Sequence, residues 1–496
     1  MAGFDYIVVG GGAAGCVVAA RLSEDADTRV LLLEAGSGQA LEAMAVPSAW
    51  MTLRGSSADW GDSTAVDPVL QRSVAWPRGR GLGGSSNINA MLFARGHRSG
   101  YDAWAADGAK GWGFDDLLPF FRRSENAQGR DPAVRGTDGP MVVAPVAGPH
   151  PAASAYLEAA AEAGYPGASD ISSGLEEGFG WPDLNIAGGR RLSAADAYLR
   201  PVMGRANLEV VTSALVHRVR VSGERCTGID YTVNGRVVQA DCSREVVLCA
   251  GTVGSAQLML LSGIGPASHL REVGIDIVAD LPGVGANLHD HPQSVIAYTP
   301  AQPVPMGVVP GQAIGLVRSD PSLAAPDLQF LAVTPAPLEA SKAIVIAFSV
   351  MTPRSRGQLR LASKDPAAAP VLDPRYLSDS HDFDRFVTAL KAARQIGRAS
   401  ALAAWCGEEV VPGPGVSDEN SLRGFLRASL ISYYHYVGTC RIGADEMAVV
   451  DTDLRVRGIA GLRIADASVM PSIPSANTHS TVLAIAERAS ALIRSA

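Results

Sequence analysis

Residues 4–36, FDYIVVGGGAAGCVVAARLSEDADTRVLLLEAG, decide the fold of this 496-residue chain. Tyr6–Val9 is a short run of bulky apolar residues, the pattern of a buried strand. Gly10, Gly12 and Gly15 follow as GxGxxG. CVVAARLSE then has the character of a helix, and RVLLLEAG that of a second strand ending in Glu34, 19 residues after Gly15. Each part has a physical task. Gly10 allows a tight turn, Gly12 lets the backbone approach a pyrophosphate, and Gly15 lets the helix pack on the strand. The helix start offers free N–H groups and the positive end of its dipole to phosphates. Glu34 can accept hydrogen bonds from ribose hydroxyls, and its charge disfavours a 2′-phosphate. The glycines alone are a weak signal. In the order strand, glycines, helix, strand and acid they predict a dinucleotide site on a Rossmann-like α/β fold, without separating FAD from NAD.

The rest of the chain is too long for one ordinary core, so two domains, or one large domain with an insertion, are expected. A hydrophobic fraction of 47% with 19% charged residues suits a compact enzyme. The net charge of −8 and the lack of a Lys/Arg run argue against nucleic acid or an anionic membrane as partner. Cys16, Cys226, Cys242, Cys249, Cys406 and Cys440 are scattered and form no CxxC pair, so neither a disulfide framework nor a zinc cluster is suggested. They are read as reduced, mostly structural residues of a cytoplasmic protein. No apolar run reaches the roughly 18 residues of a membrane span. The amino terminus lacks a basic stretch followed by an apolar one, so no export signal is expected.

Four further stretches carry the reading: PRGRGLGGSSNINAMLFARGHR (77–98), CAGTVGSAQLMLLSGIGP (249–266), LPGVGANLHDH (281–291), and the carboxyl-terminal pair YYHYVGTCRIG (433–443) and GLRIADASVMPSIPSANTHST (461–481). The doubled glycine followed by Ser85 and Ser86 makes a loop whose N–H groups can face an anion. Together these motifs, over essentially the whole chain, resemble the glucose–methanol–choline (GMC) oxidoreductase family. GRGLGGSSNIN is similar to its first signature and GTVGSAQLMLLSGIG to its second, except that Ala256 stands where proline is usual. The terminal segment is similar to its catalytic region.

The resemblance implies FAD on the amino-terminal motif, with Gly12, Ala13 and Ala14 near the pyrophosphate, Glu34 at the adenosine ribose and the Val216 backbone at the adenine. The 83–89 loop, with Gly83, Gly84, Ser85, Asn87 and Asn89, would flank the flavin ring. Asp466 and Ala467 would hold the ribityl and phosphate side, and Asn477, Thr478 and Thr481 the pyrimidine side. Ile88 stands where some family members carry a histidine joined to the flavin, so a non-covalent cofactor is expected.

Removing hydride from an alcohol carbon requires the hydroxyl proton to leave as well, a task for a neutral imidazole. The family pattern assigns this to His435 before GT, with His479 after NT as its partner. The two roles could be exchanged. Asn477 and Thr478 are expected to cap a helix beginning near Ser480. His289 and His291 have a spacing that could suit a metal but fall in the family's NLxDH loop, so a structural role is expected and no metal. Of Tyr433, Tyr434 and Tyr436, Tyr434 is expected to line the substrate pocket. The expected function is oxidation of a primary alcohol, aromatic or heterocyclic, to the aldehyde, with hydride transfer to flavin N5 and O2 or another compound as acceptor. Alternatives are a hydroxynitrile lyase-type FAD protein without net redox turnover, and a choline or aliphatic alcohol dehydrogenase. A quaternary ammonium needs an aromatic cage or a carboxylate, and the sequence identifies neither. A discontinuous FAD-binding domain is expected at 1–145, 195–292 and 438–496. An α+β substrate domain built on an antiparallel sheet would take 146–194 and 293–437.

Overall fold

The computed structural model describes residues 3–303, 311–338 and 341–495. β1 (Phe4–Val9) and β2 (Val30–Leu33) pair in parallel, Tyr6 with Val30 through Val9 with Leu33, and α1 (Ala13–Leu22) connects them. Both strands are covered on both faces, which explains why their sequences show apolar runs rather than alternation. β3 (Leu208–Val211) extends the sheet beyond β2. On the other side of the sheet, β4 (Ala214–Ser222), β5 (Arg225–Val233) and β6 (Arg236–Leu248) form an antiparallel meander. The β5–β6 turn is Asn234-Gly235, both at positive φ, the chemistry a two-residue hairpin requires.

β6 changes partners along its length. Its first half pairs with β5, and Cys242–Leu248 run parallel to β1. β7 (Leu462–Ile464) joins the far side of this second half, also in parallel. The connections therefore depart to opposite sides of β1, and a crevice opens beyond its carboxyl end, the place where open α/β sheets bind ligands. α2 (Gly251–Leu261) leaves β6 at this edge. α3 (His479–Arg494) packs on α1, where Arg21 donates to the buried Glu487 through Nε at 2.9 Å and Nη2 at 2.7 Å. The first and last helices of the chain thus close one layer over the sheet.

A second sheet is wholly antiparallel. Its order is Cys406–Val411, Pro292–Pro300, Ser341–Val350, Leu328–Leu338, Ile314–Val317 and Gly178–Gly180, with Ile431–Ser432 also paired to the start of Pro292–Pro300. The helix Ser380–Gly397 starts where Asp379 caps it by accepting from the His381 amide at 2.8 Å. A short strand, Gln358–Arg360, pairs with Val371–Asp373. One apolar cluster runs from β1 through to Phe330 and Phe348 of the second sheet, so the two sheets share a core. Among the described residues no helix is long and apolar enough to cross a membrane.

Candidate active site

The glycine turn after β1 is enforced by contact. Gly10 lies at φ +101°, and a Cβ there would stand 2.6 Å from the Cys249 carbonyl oxygen; one at Gly15 would stand 1.8 Å from the Gly10 oxygen. Glu34 is buried and has a task beyond the one expected. Its Oε2 accepts from the Gly11 amide at 2.8 Å, and its Oε1 accepts from Gly36 at 2.7 Å and Gly81 at 3.0 Å. One carboxylate thus joins three glycine loops. The GG loop closes against the same turn, since a Cβ at Gly84 would meet Gly12 Cα at 2.7 Å.

These loops wall a cavity of about 870 Å³ beyond the carboxyl end of β1. Gly10, Gly12, Ala13, Ala14, Glu34, Gly84, Ser85, Asn89, Val216, Asp466, Ala467, Tyr434, His435, Asn477, Thr478 and His479 all line it. Gly15, Gly83, Asn87 and Thr481 stand behind the lining. Gly15 seats α1. Gly83 backs onto the Asn87 side chain, whose amide donates to the Leu82 carbonyl at 2.6 Å. Thr481 Oγ1 pairs with the Tyr101 hydroxyl at 2.8 Å. Asp466 spends its carboxylate on Ser255, Ser468 and the Gly251 amide, so it fixes the start of α2 rather than standing free.

His435 is the best-defined group in the cavity. Its Nδ1 lies 2.9 Å from His291 Nδ1, and His291 Nε2 lies 3.1 Å from the Met351 carbonyl oxygen. A carbonyl only accepts, so the His291 proton sits on Nε2, its Nδ1 is the acceptor, and His435 donates from Nδ1. The His435 Nε2 lone pair is thereby left toward the cavity, where the Asn477 side-chain amide donates to it at 3.2 Å. Asp290 holds the loop from behind. It accepts from the His435 amide at 2.8 Å, from the Tyr376 hydroxyl at 2.5 Å and from the Ser432 hydroxyl. Burial pushes His435 down to about 3 and Asp290 up to about 6.

His479 begins α3. Thr478 occupies the N-cap position without a side-chain cap hydrogen bond, and Asn477 is turned to His435 instead. The capping role expected for this pair is therefore corrected: the site takes the polar atoms that a cap would use. His479 is pushed down to about 4, first by burial and then by the Arg191 charge. Its ring meets Phe93 edge-on at 5.6 Å, and both ring nitrogens, like Asn477 Oδ1, are buried without a hydrogen-bond partner among the described residues. Such atoms are costly unless a ligand meets them.

Sequence reasoning missed four contributors. His291, read as a loop residue, contacts His435 directly; the signal was a histidine beside a buried acid in HDH. Tyr433 lines the cavity as well as Tyr434, its ring 4.3 Å from that of His435. Trp50 and Arg54 also line it, from a segment with no recognisable motif. Tyr436 is not free for substrate: it stacks on Trp76 at 4.0 Å and donates to the Pro77 carbonyl.

Fold and cavity together define a dinucleotide-binding protein with two buried imidazoles facing one cavity. Residues 4–293 and 353–486 match two sequence models described as GMC oxidoreductase, and the chain belongs to that family. It is 41% identical to an uncharacterized GMC-type oxidoreductase of Mycobacterium tuberculosis, over 99% of each chain. It is 38% identical to human mitochondrial choline dehydrogenase, over 99% of this chain and 90% of the other. The solved structure of a Mesorhizobium loti pyridoxine 4-oxidase superposes with a TM-score of 0.94 at 35% identity, over 98% of each chain. The protein is an FAD-dependent oxidoreductase acting on CH–OH groups. The residues present fit FAD: a glycine turn at a helix start, closely opposed glycine loops, and unmet polar atoms on Asn477 and His479 facing one cavity.

Proposed function

We propose that the protein oxidises a primary aromatic or heterocyclic alcohol to the aldehyde, with His435 as the base. The observation that carries this is the fixed tautomer of His435, whose Nε2 lone pair is presented to the cavity by the His291–Met351 relay. Bound FAD supplies the two-electron acceptor for the hydride leaving the alcohol carbon. The alcohol hydroxyl takes the place of the Asn477 amide at His435 Nε2, which accepts its proton. The resulting charge is shared through Nδ1–H with His291 and lies close to the Asp290 carboxylate, which grips the His435 amide. His479 orients the alcohol oxygen with a ring nitrogen that no protein group engages. Burial keeps both imidazoles neutral, so the base is available without a prior deprotonation.

The cofactor-binding residues are assigned as Gly10, Gly12, Ala13, Ala14, Glu34, Gly84, Ser85, Asn89, Val216, Asp466, Ala467, Asn477 and Thr478, with Gly15, Gly83, Asn87 and Thr481 supporting them from behind. Ile88 carries no nucleophile, so FAD is held without a covalent bond and acid precipitation should release the yellow colour. We divide the chain as 1–145, 195–292 and 438–496 for FAD and 146–194 and 293–437 for substrate, a reading that the two separate sheets support. The six free thiols suit a reducing compartment, and we assign the cytoplasm. The aromatic surroundings of His435 and the likeness to a pyridoxine 4-oxidase support a ring-bearing alcohol.

The test is anaerobic flavin bleaching by a panel of benzyl and pyridyl methanols. His435→Ala should slow reduction by about 10²–10⁴-fold, the usual worth of a positioned base. Reduction at the wild-type rate would refute the assignment. Readmitting O2 then measures whether oxygen serves as acceptor.

A further inference from the structure

We infer that Arg54 is an anion-binding subsite, and that the preferred substrate is an alcohol bearing a carboxylate at the end remote from its hydroxyl. The inference rests on the alcohol-oxidation reading for the reacting end and on independent geometry for the other.

Arg54 lines the cavity with its guanidinium carbon 4.7 Å over the Trp50 ring and 4.5 Å over the Tyr434 ring. Tyr434 immediately precedes the base. Among the described residues the guanidinium makes no hydrogen bond and no ion pair. The acids that line the cavity are all committed elsewhere: Glu34 to three glycine amides, Asp62 to Arg78, and Asp466 to Ser255, Ser468 and Gly251. Asp290, beneath the same loop as Tyr434, is taken by Tyr376, Ser432 and His435. A half-buried cation without a counter-charge, facing a ligand cavity, calls for an anion.

The manner of holding it is equally specific. Ring contact uses the flat faces of the guanidinium, while its N–H donors lie in the plane at the edge. Stacking therefore restrains the side chain and leaves the donor edge open, pre-set for a planar carboxylate. The same arrangement disfavours a quaternary ammonium. Trp50 and Tyr434 already carry one cation, and its charge would repel a second. Met91 and Leu331 are among the apolar residues lining the same cavity, which suits an aryl group.

The experiment compares 4-(hydroxymethyl)benzoate, 4-(hydroxymethyl)benzamide and 4-(hydroxymethyl)benzylammonium on the FAD-loaded enzyme at low ionic strength. Wild type should show kcat/KM for the carboxylate at least tenfold above the amide, with the ammonium poorest. Arg54→Gln should lower the carboxylate-to-amide ratio at least tenfold, mainly through KM, and Arg54→Lys should fall between. Equal kcat/KM values in wild type, or a ratio unmoved by Arg54→Gln, would overturn the subsite. If none of the alcohols bleaches the flavin, the alcohol reading fails, and binding decides the subsite alone. Benzoate should then perturb the flavin spectrum with a Kd at least tenfold below that of benzamide in wild type. Equal Kd values would overturn it.

Discussion

His291 and His435 face each other through their Nδ1 atoms at 2.9 Å, an arrangement possible between neutral rings only if one donates and the other accepts. The Met351 carbonyl decides which, by claiming the His291 Nε2 proton. His291→Phe removes the acceptor and lets His435 place its proton on Nε2, where it blocks the lone pair that the reaction needs. We expect flavin reduction to slow about 10–100-fold, the range for losing a group that orients a functional histidine, with FAD content retained. Stopped-flow reduction at saturating alcohol measures it, and a wild-type rate would dissolve the relay.

Glu34 supports the cofactor site through three amides rather than through a ribose contact alone. Glu34→Gln replaces one acceptor oxygen with an NH2 group and leaves at least one of these buried N–H groups unmet, at a cost of about 1–3 kcal/mol. FAD affinity should weaken about 10–100-fold, read as flavin lost on dialysis and as a thermal midpoint that recovers with added FAD. Retention of FAD equal to wild type would show that the glycine loops hold without the carboxylate.

Local rules made the first of these regions legible. Tyr6–Val9, the glycines and Glu34 declare a strand, turn and helix within 30 residues because each element is set by its own side chains. His435 and His479 were legible only through a motif. Their meeting depends on β7, α3 and the second sheet coming together, and no periodicity encodes that. His291 was misjudged because a histidine that touches another histidine 144 residues away leaves no local mark. Trp50 and Arg54 escaped for the same reason: cation–π partners from separate loops have no spacing rule. The cap at 477–478 failed instructively, since propensity predicts what Asn and Thr do for a helix when nothing else claims them.

Asp290 is a buried carboxylate with no arginine or lysine ion pair among the described residues, held by two hydroxyls and one amide. Asp290→Asn keeps the volume but supplies only one acceptor oxygen for three donors. The loop carrying His435 should loosen, lowering stability by about 1–3 kcal/mol, and flavin reduction should slow because the imidazolium formed in the reaction loses its nearby charge. Tyr376→Phe removes one donor and leaves the charge, so it should cost stability with a smaller effect on rate. Thermal denaturation and stopped-flow reduction on the two variants separate the contributions, and equal rate losses would remove the electrostatic role.

The buried histidines also fix how stability responds to acid. Burial holds His289 and His435 at about 3 and His479 at about 4, and holds His291 well below its ordinary value. In the unfolded chain each titrates near about 6.5. Between about pH 6.5 and 4 the unfolded state therefore binds more protons at these four positions than the folded state. Stability is full above about pH 6.5 and is lost as pH falls, by up to about 1.4 kcal/mol per pH unit for each histidine. Asp290 works in the opposite sense. Raised to about 6, it takes its proton in the folded state first and gives back some stability as pH falls below 6. One such group does not offset four. The thermal midpoint of the FAD-loaded enzyme should be flat between pH 8 and 7 and should fall steadily below about 6.5. The rate of flavin reduction should hold between pH 8 and 7, since both cavity imidazoles are already neutral there, and should soften toward pH 6 only as Asp290 takes its proton. A midpoint unchanged from pH 7.5 to 5 would mean that these imidazoles are not buried as the structure has them.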